Sequence, residues 1–258
     1  MTATKSAPGR YTDEQLSDLL VLLEDADSVE LKLTVPDEGR RSAVAALDMD
    51  PLEAQLRQVF FFDTPDLQLN RHGVIPRARR VQGGGDDSVV KLRPVVPSEL
   101  PADLRELPGF GVEVDASPVG FVCSGRLKAP LRTGRVKEAI SGTRPTRSLF
   151  KKRQRAFFAE HAPAGIDLDD LSILGPITVL KLKFAPQDYG RRLVAELWNY
   201  PDGSRILELS TKCAPSEAMQ VAAKTRVFLE GRGINLSGEQ QTKTKTALEF
   251  FAKELQGS

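Results

Sequence analysis

The pattern of apolar positions is helical at first and then changes period. Leu16, Leu19, Leu20, Leu22 and Leu23 fall at helical spacing within Asp13–Glu24, with acids in the first turn. From Val29 the period is two. Val29, Leu31, Leu33 and Val35 alternate with Ser28, Glu30, Lys32 and Thr34, which predicts a strand with one apolar and one charged face. Further strands are predicted at Gln58–Asp63, Val74–Val81, Ser88–Val95, Phe110–Asp115, Thr178–Phe184, Leu193–Tyr200 and Arg205–Lys212. Turn residues separate them: Thr64-Pro65-Asp66, the glycine loop Gln82–Asp87, and Pro201-Asp202-Gly203-Ser204. From Pro101 to Leu174 the chain otherwise reads as helical and loop-rich, with Ser148–His161 its clearest helix. Two helices close it: one is opened by Pro215 and ended by Gly231, the other is capped by Ser237 and runs toward Leu255. Residues 1–10 read as a tail. The expectation is an α+β protein with a mainly antiparallel sheet of eight strands and helices packed outside it.

Residues two apart on a strand share a face, so the charges can be sorted. One face collects eight bases: Lys32, Arg77, Arg79, Lys91, Arg93, Lys181, Lys183 and Lys212. It also collects five acids: Glu30, Glu113, Asp115, Glu196 and Glu208. The opposite face is apolar, as at Val29, Leu31, Val90, Leu92, Leu180, Leu182, Leu207 and Leu209. Any one such strand could simply show its polar face to water. The repetition of full charges on nearly every strand favours another arrangement, in which the sheet closes and the charges converge on one lumen. Such crowding is costly unless the charges pair or meet a ligand, and a polyphosphate with a hard cation satisfies both signs.

Composition narrows the partners. With 36 Lys plus Arg against 35 Asp plus Glu, the chain lacks the basic excess of a bulk nucleic-acid binder. Two cysteines, no membrane-length apolar run and no signal-like start predict a cytoplasmic protein without membrane attachment. The glycine loop lacks the Lys-Ser/Thr ending of a phosphate cradle and is taken as a turn. His72 and His161, at a turn and a helix end, read as solvent residues. Cys123 and Cys213 lack a neighbouring histidine for thiol chemistry, and Trp198 and Tyr200 read as packing residues. The basic run Lys151, Lys152, Arg153, Arg155 reads as a solvated helix face, with Arg153 or Arg155 reaching the lumen as the alternative. The leucine-rich helix at 13–24 could cover the barrel or a second subunit, which leaves a homodimer open.

Several of these segments, in order, resemble the motifs of CYTH domains. They are Ser28-Val29-Glu30-Leu31-Lys32, Phe61-Phe62-Asp63-Thr64-Pro65, Arg77-Ala78-Arg79, Lys91-Leu92-Arg93, Glu113-Val114-Asp115, Glu208-Leu209-Ser210 and Thr242-Lys243-Thr244-Lys245. CYTH domains belong to the triphosphate tunnel metalloenzymes, which include class-IV adenylyl cyclases, thiamine triphosphatases and inorganic triphosphatases. The resemblance implies a closed eight-stranded barrel over 28–258, after a tail and helix at 1–27, with a helical segment at about 97–175. It implies that Lys32, Arg77, Arg79, Lys91, Arg93, Lys181, Lys183 and Lys212 grip phosphate. Glu30, Glu208, Glu196, Glu113 and Asp115 are the candidate ligands for Mg²⁺ or Mn²⁺, and Glu30, Lys32 and Glu208 the catalytic candidates. The implied chemistry is in-line attack on phosphorus by a metal-activated water, or by a ribose hydroxyl in a cyclase. Lys243 or Lys245 would sit at one tunnel mouth.

The chain departs from the family pattern at Ser28 and Ser210, where carboxylates are usual. Three functions follow as expectations: a metal-dependent hydrolase of triphosphate or short polyphosphate, an adenylyl cyclase, and a tunnel that binds phosphorylated ligands without turnover. In each, the partner is a small-molecule polyanion.

Overall fold

The computed structural model describes residues 13–236 and 243–257. Its strands are β1 (Ser28–Val35), β2 (Gln55–Asp63), β3 (Val74–Val81), β4 (Asp87–Leu92), β5 (Phe110–Ser117), β6 (Gly120–Pro130), β7 (Ser172–Phe184), β8 (Leu193–Asn199) and β9 (Arg205–Cys213). The helices are α1 (Asp13–Glu24), α2 (Arg40–Ala46), α3 (Gln68–Arg71), α4 (Ala102–Arg105), α5 (Arg135–Ile140), α6 (Lys152–His161), α7 (Ala218–Gly231) and α8 (Lys243–Gly257).

The sheet closes on itself in the order β1-β5-β6-β4-β3-β2-β7-β8-β9, and β9 pairs back to β1. The barrel therefore has nine strands, not eight. It is also mixed rather than mainly antiparallel, because β1 runs parallel to β5, with Ser28 opposite Glu113 and Glu30 opposite Asp115. The added strand is β6, inside the stretch expected to be helical and loop-rich. Its glycines and final proline hide the strand period, yet Gly125 has a specific role there. A Cβ at Gly125 would stand 3.0 Å from the Phe110 ring, so the bare backbone lets Phe110 lie across the β5–β6 pair. The helix expected at Ser148–His161 is shorter: a 3₁₀ turn covers Thr146–Leu149 and α6 begins at Lys152. The expected cap Ser237 and the tail at 1–10 lie outside the described residues, as does Thr242.

The outward face of the barrel is the apolar one. Val90, Leu92 and Leu127 pack with Val136 of α5 and Phe157 and Phe158 of α6. Leu182, Leu207 and Leu209 pack with Ala43 of α2 and Leu229 of α7, and Val29 and Val114 with Leu19 of α1 and Val221 of α7. Each outer helix is thus held by the alternate residues whose neighbours point inward.

One helix does not pack outside. Ala247, Leu248 and Phe251 of α8 pack against Val59, Phe61, Ile177, Val179, Trp198 and Ile206. Val59, Phe61, Val179 and Trp198 also line the lumen, so α8 plugs one end of the barrel. A kink in β2 and β7 shapes that end: the register shifts between Val59 and Phe61, opposite Gly175. Gly175 has φ +152, and a Cβ there would lie 2.8 Å from the Val59 carbonyl, so the bulge needs glycine.

Candidate functional site

All thirteen charged residues sorted onto one face by the period-two pattern line a single cavity of about 330 Å³ inside the barrel. On β1 these are Glu30 and Lys32, on β3 Arg77 and Arg79, on β4 and just after it Lys91 and Arg93, and on β5 Glu113 and Asp115. On β7 they are Lys181 and Lys183, on β8 Glu196, and on β9 Glu208 and Lys212. Three more bases that sequence reasoning missed join them: Arg57 on β2, and Arg126 and Lys128 on β6. Lys243, weighed with Lys245 as a residue at the mouth, also lines the cavity. The lumen then holds twelve basic side chains against five carboxylates.

Asp115 is the hub of the acidic end. It receives Lys32 Nζ at 2.7 Å, Lys91 Nζ at 3.4 Å and Arg93 Nη1 at 3.4 Å. Burial alone would raise its pKa, but Lys32, Lys91 and Arg93 outweigh that and hold it well below the carboxylate range. Burial likewise pulls the Lys32 ammonium down, yet Asp115 and Glu30 keep it above the usual lysine value. Lys91 goes the other way: burial pushes it down to about 8, with Lys32 and Arg93 adding to the fall and Asp115 opposing it.

Glu113 pairs with Lys212 and stands 3.9 Å from Arg126. Ser28 Oγ donates to Glu113 at 3.5 Å, and Ser210 Oγ donates to Glu30 at 3.2 Å. At both departures from the family pattern, then, a neutral donor serves a remaining carboxylate. Glu30 also pairs with Lys32 at 3.3 Å. At the next stretch of wall, Arg79 grips Asp87 through two bonds of 2.8 Å, with Lys128 at 3.5 Å from the same carboxylate.

Arg77 stands apart from these pairs. Among the described residues its Nε is buried and has no hydrogen-bond partner, and no ion pair reaches its guanidinium. Burial, with Arg79 beside it, pushes it down to about 10. A buried N–H without a partner is costly, and this one belongs to a cation facing a cavity already rich in cations.

The sequence matches no family model and no curated protein. Solved structures share the architecture. One, from Hippeastrum, is described as an adenylyl cyclase candidate with a dominant triphosphatase activity. It aligns at a TM-score of 0.64 and 17% identity over 86% of this chain and 95% of its own. A second, from Bacillus halodurans and described as an adenylate cyclase candidate, aligns at 0.57 and 13% identity over 85% and 98%. The fold is the CYTH fold.

Within this CYTH fold the acids divide into two groups. Glu30, Glu113 and Asp115 each offer an oxygen, and these atoms lie within 4.8 Å of one another. Three clustered carboxylates are a donor set that suits a hard, oxygen-seeking cation. Glu196 and Glu208 form the other group and meet Lys243 instead.

The remaining residues lie away from the lumen. His72 caps α3 and His161 ends α6, and each donates from Nδ1 to a backbone carbonyl of its own helix. Lys151, just before α6, and Lys152, Arg153 and Arg155 on it are exposed, and none lines the CYTH-fold tunnel. Both cysteines are buried, and burial pushes Cys123 up to about 11, away from thiolate chemistry. No described helix is long and apolar enough to cross a membrane.

Proposed function

We propose that the tunnel binds triphosphate or a short polyphosphate and hydrolyses its phosphoanhydride bond with Mg²⁺ or Mn²⁺. The observation that carries this reading is Arg77, whose buried Nε has no partner in a lumen where twelve bases face five carboxylates. A polyanion is the ligand that would relieve that excess. Arg77, Arg79 and Arg93 supply planar forks for non-bridging oxygens, while Lys32, Lys91, Lys181, Lys183 and Lys212 act as point charges. The Hippeastrum protein's described triphosphatase activity agrees with this chemistry.

A divalent cation held by Glu30, Glu113 and Asp115 would neutralise phosphate oxygens and polarise the phosphorus centre. The chain's own residues do the rest. Lys32, kept protonated by Asp115 and Glu30, holds charge that develops on the terminal phosphoryl group. Burial raises the Glu30 pKa, but Lys32 and Lys212 outweigh it and keep the carboxylate ionised, so it can orient an attacking water. Water oxygen bonds to the terminal phosphorus, the anhydride bond breaks, and triphosphate gives orthophosphate and pyrophosphate. Glu208, the third catalytic candidate, acts in the lumen through Lys243.

The aromatic faces of the lumen favour an inorganic anion over a nucleotide. The Trp198 ring has the Lys243 ammonium 5.0 Å from its centroid, and Phe61 is buried against α8. A second reading, binding without turnover, is favoured by Ser28 and Ser210, whose hydroxyls stand where the resemblance implies carboxylates. Phosphate release from triphosphate under Mg²⁺ or Mn²⁺, lost in Glu30→Ala, is the expected result. Binding without phosphate release from triphosphate, thiamine triphosphate or nucleotides supports the second reading, and cyclic AMP made from ATP would instead mark a cyclase.

A further inference from the structure

Glu196 and Glu208 stand directly opposite each other on β8 and β9. Two carboxylates in that register repel unless a cation lies between them. Lys243, the first residue of α8, supplies it: its Nζ is 2.6 Å from Glu196 Oε2 and 2.6 Å from Glu208 Oε1. The placement is built from several sides. The ammonium lies over the Trp198 ring, the Tyr200 hydroxyl donates to the Lys243 carbonyl at 3.1 Å, and the α8 apolar face anchors the helix behind it.

The charge count is equally specific. Lys181 Nζ lies 2.7 Å from the other oxygen of Glu196. Two ammonium groups therefore face two carboxylates, which is the charge that one divalent ion would bring to the pair. Unlike a free ion, both ammoniums are tethered to the fold, so a dilute metal must displace a partner of high effective concentration.

We propose that Lys243, with Lys181 on the outer oxygen of Glu196, occupies the position between Glu196 and Glu208 that a divalent cation would otherwise take. The inference deepens the hydrolase reading, whose metal it keeps away from one end of the tunnel, but its test needs neither triphosphate nor turnover. One consequence is that the α8 plug and the polyanion are coupled through a fixed charge. Phosphate oxygens drawn to that end of the tunnel meet Lys243 rather than a second exchangeable ion.

The experiment counts Mn²⁺ per chain by paramagnetic resonance and calorimetry on the full-length protein without polyanion. Lys243→Met is expected to bind one Mn²⁺ more than wild type, and Lys243→Met combined with Glu196→Gln to lose it again. A folded Lys243→Met that binds no more Mn²⁺ than wild type overturns the proposal. Should Lys243→Met not fold, Glu196→Gln and Glu208→Gln in the wild-type background decide the matter. Each is expected to leave Mn²⁺ number unchanged and affinity within about twofold, and a tenfold loss in either would overturn the proposal. Absence of phosphate release would count against the hydrolase reading and leave this count standing.

Discussion

Arg77→Met is expected to make the ligand-free protein more stable while weakening its hold on triphosphate. Arg77 is half-buried in the lumen wall with a buried, unpartnered Nε, and desolvation together with Arg79 depresses its pKa. Methionine keeps much of the length and removes the desolvated charge, so the free protein should gain about 1–3 kcal/mol. The same change deletes charge-assisted hydrogen bonds to phosphate, each of about 1.5–3 kcal/mol. Affinity should fall by roughly one to two orders of magnitude, since about 1.4 kcal/mol is tenfold. Urea unfolding and calorimetry of the variant read the two effects separately. A purely structural arginine would move the first in the opposite direction, and a variant less stable than wild type would show that Arg77 has a partner in the free protein.

Asp115→Asn is expected to have the largest effect on stability. Asp115 is 5% exposed and serves Lys32, Lys91 and Arg93 together. Breaking a buried pair on one side typically costs about 3–5 kcal/mol, because the remaining charges stay desolvated and unpaired. For a chain of this size that is a fall in Tm of roughly 6–20 °C. Triphosphate should restore more stability to this variant than it adds to wild type, since Lys91 and Arg93 then lose their carboxylate and Lys32 keeps only Glu30. A variant that melts with wild type would mean the three bases are not held by Asp115.

The lumen was legible in the sequence because its signal is local. On β1, β3, β4, β7 and β9 the alternation of charge and aliphatic residues assigns each side chain to a face before any partner strand is known. The ninth strand was hidden for an equally local reason. Gly120, Gly125 and Pro130 read as breakers, although Arg126-Leu127-Lys128 repeats the pattern of Lys91-Leu92-Arg93, and Arg126 stands opposite Lys91 in the sheet. The parallel β1–β5 contact could not be read at all, because it joins segments about eighty residues apart. The same holds for the plug. The apolar stripe of α8 looks like that of any surface helix, and only the closed barrel shows that Leu248 and Phe251 meet lumen residues. With the plug unseen, the meeting of Lys243 with Glu196 and Glu208 was unseen too.

The most direct test of the account is thermal unfolding of the metal-free protein with and without triphosphate at constant ionic strength. Twelve bases around five carboxylates in a closed lumen should favour the polyanion strongly. At a triphosphate concentration one hundred times Kd the native state gains about 2.7 kcal/mol, or roughly 5–11 °C in Tm. Sodium chloride at the same ionic strength should add little, because it fills no site. A triphosphate shift no larger than the salt shift would contradict a tunnel built to hold a polyanion.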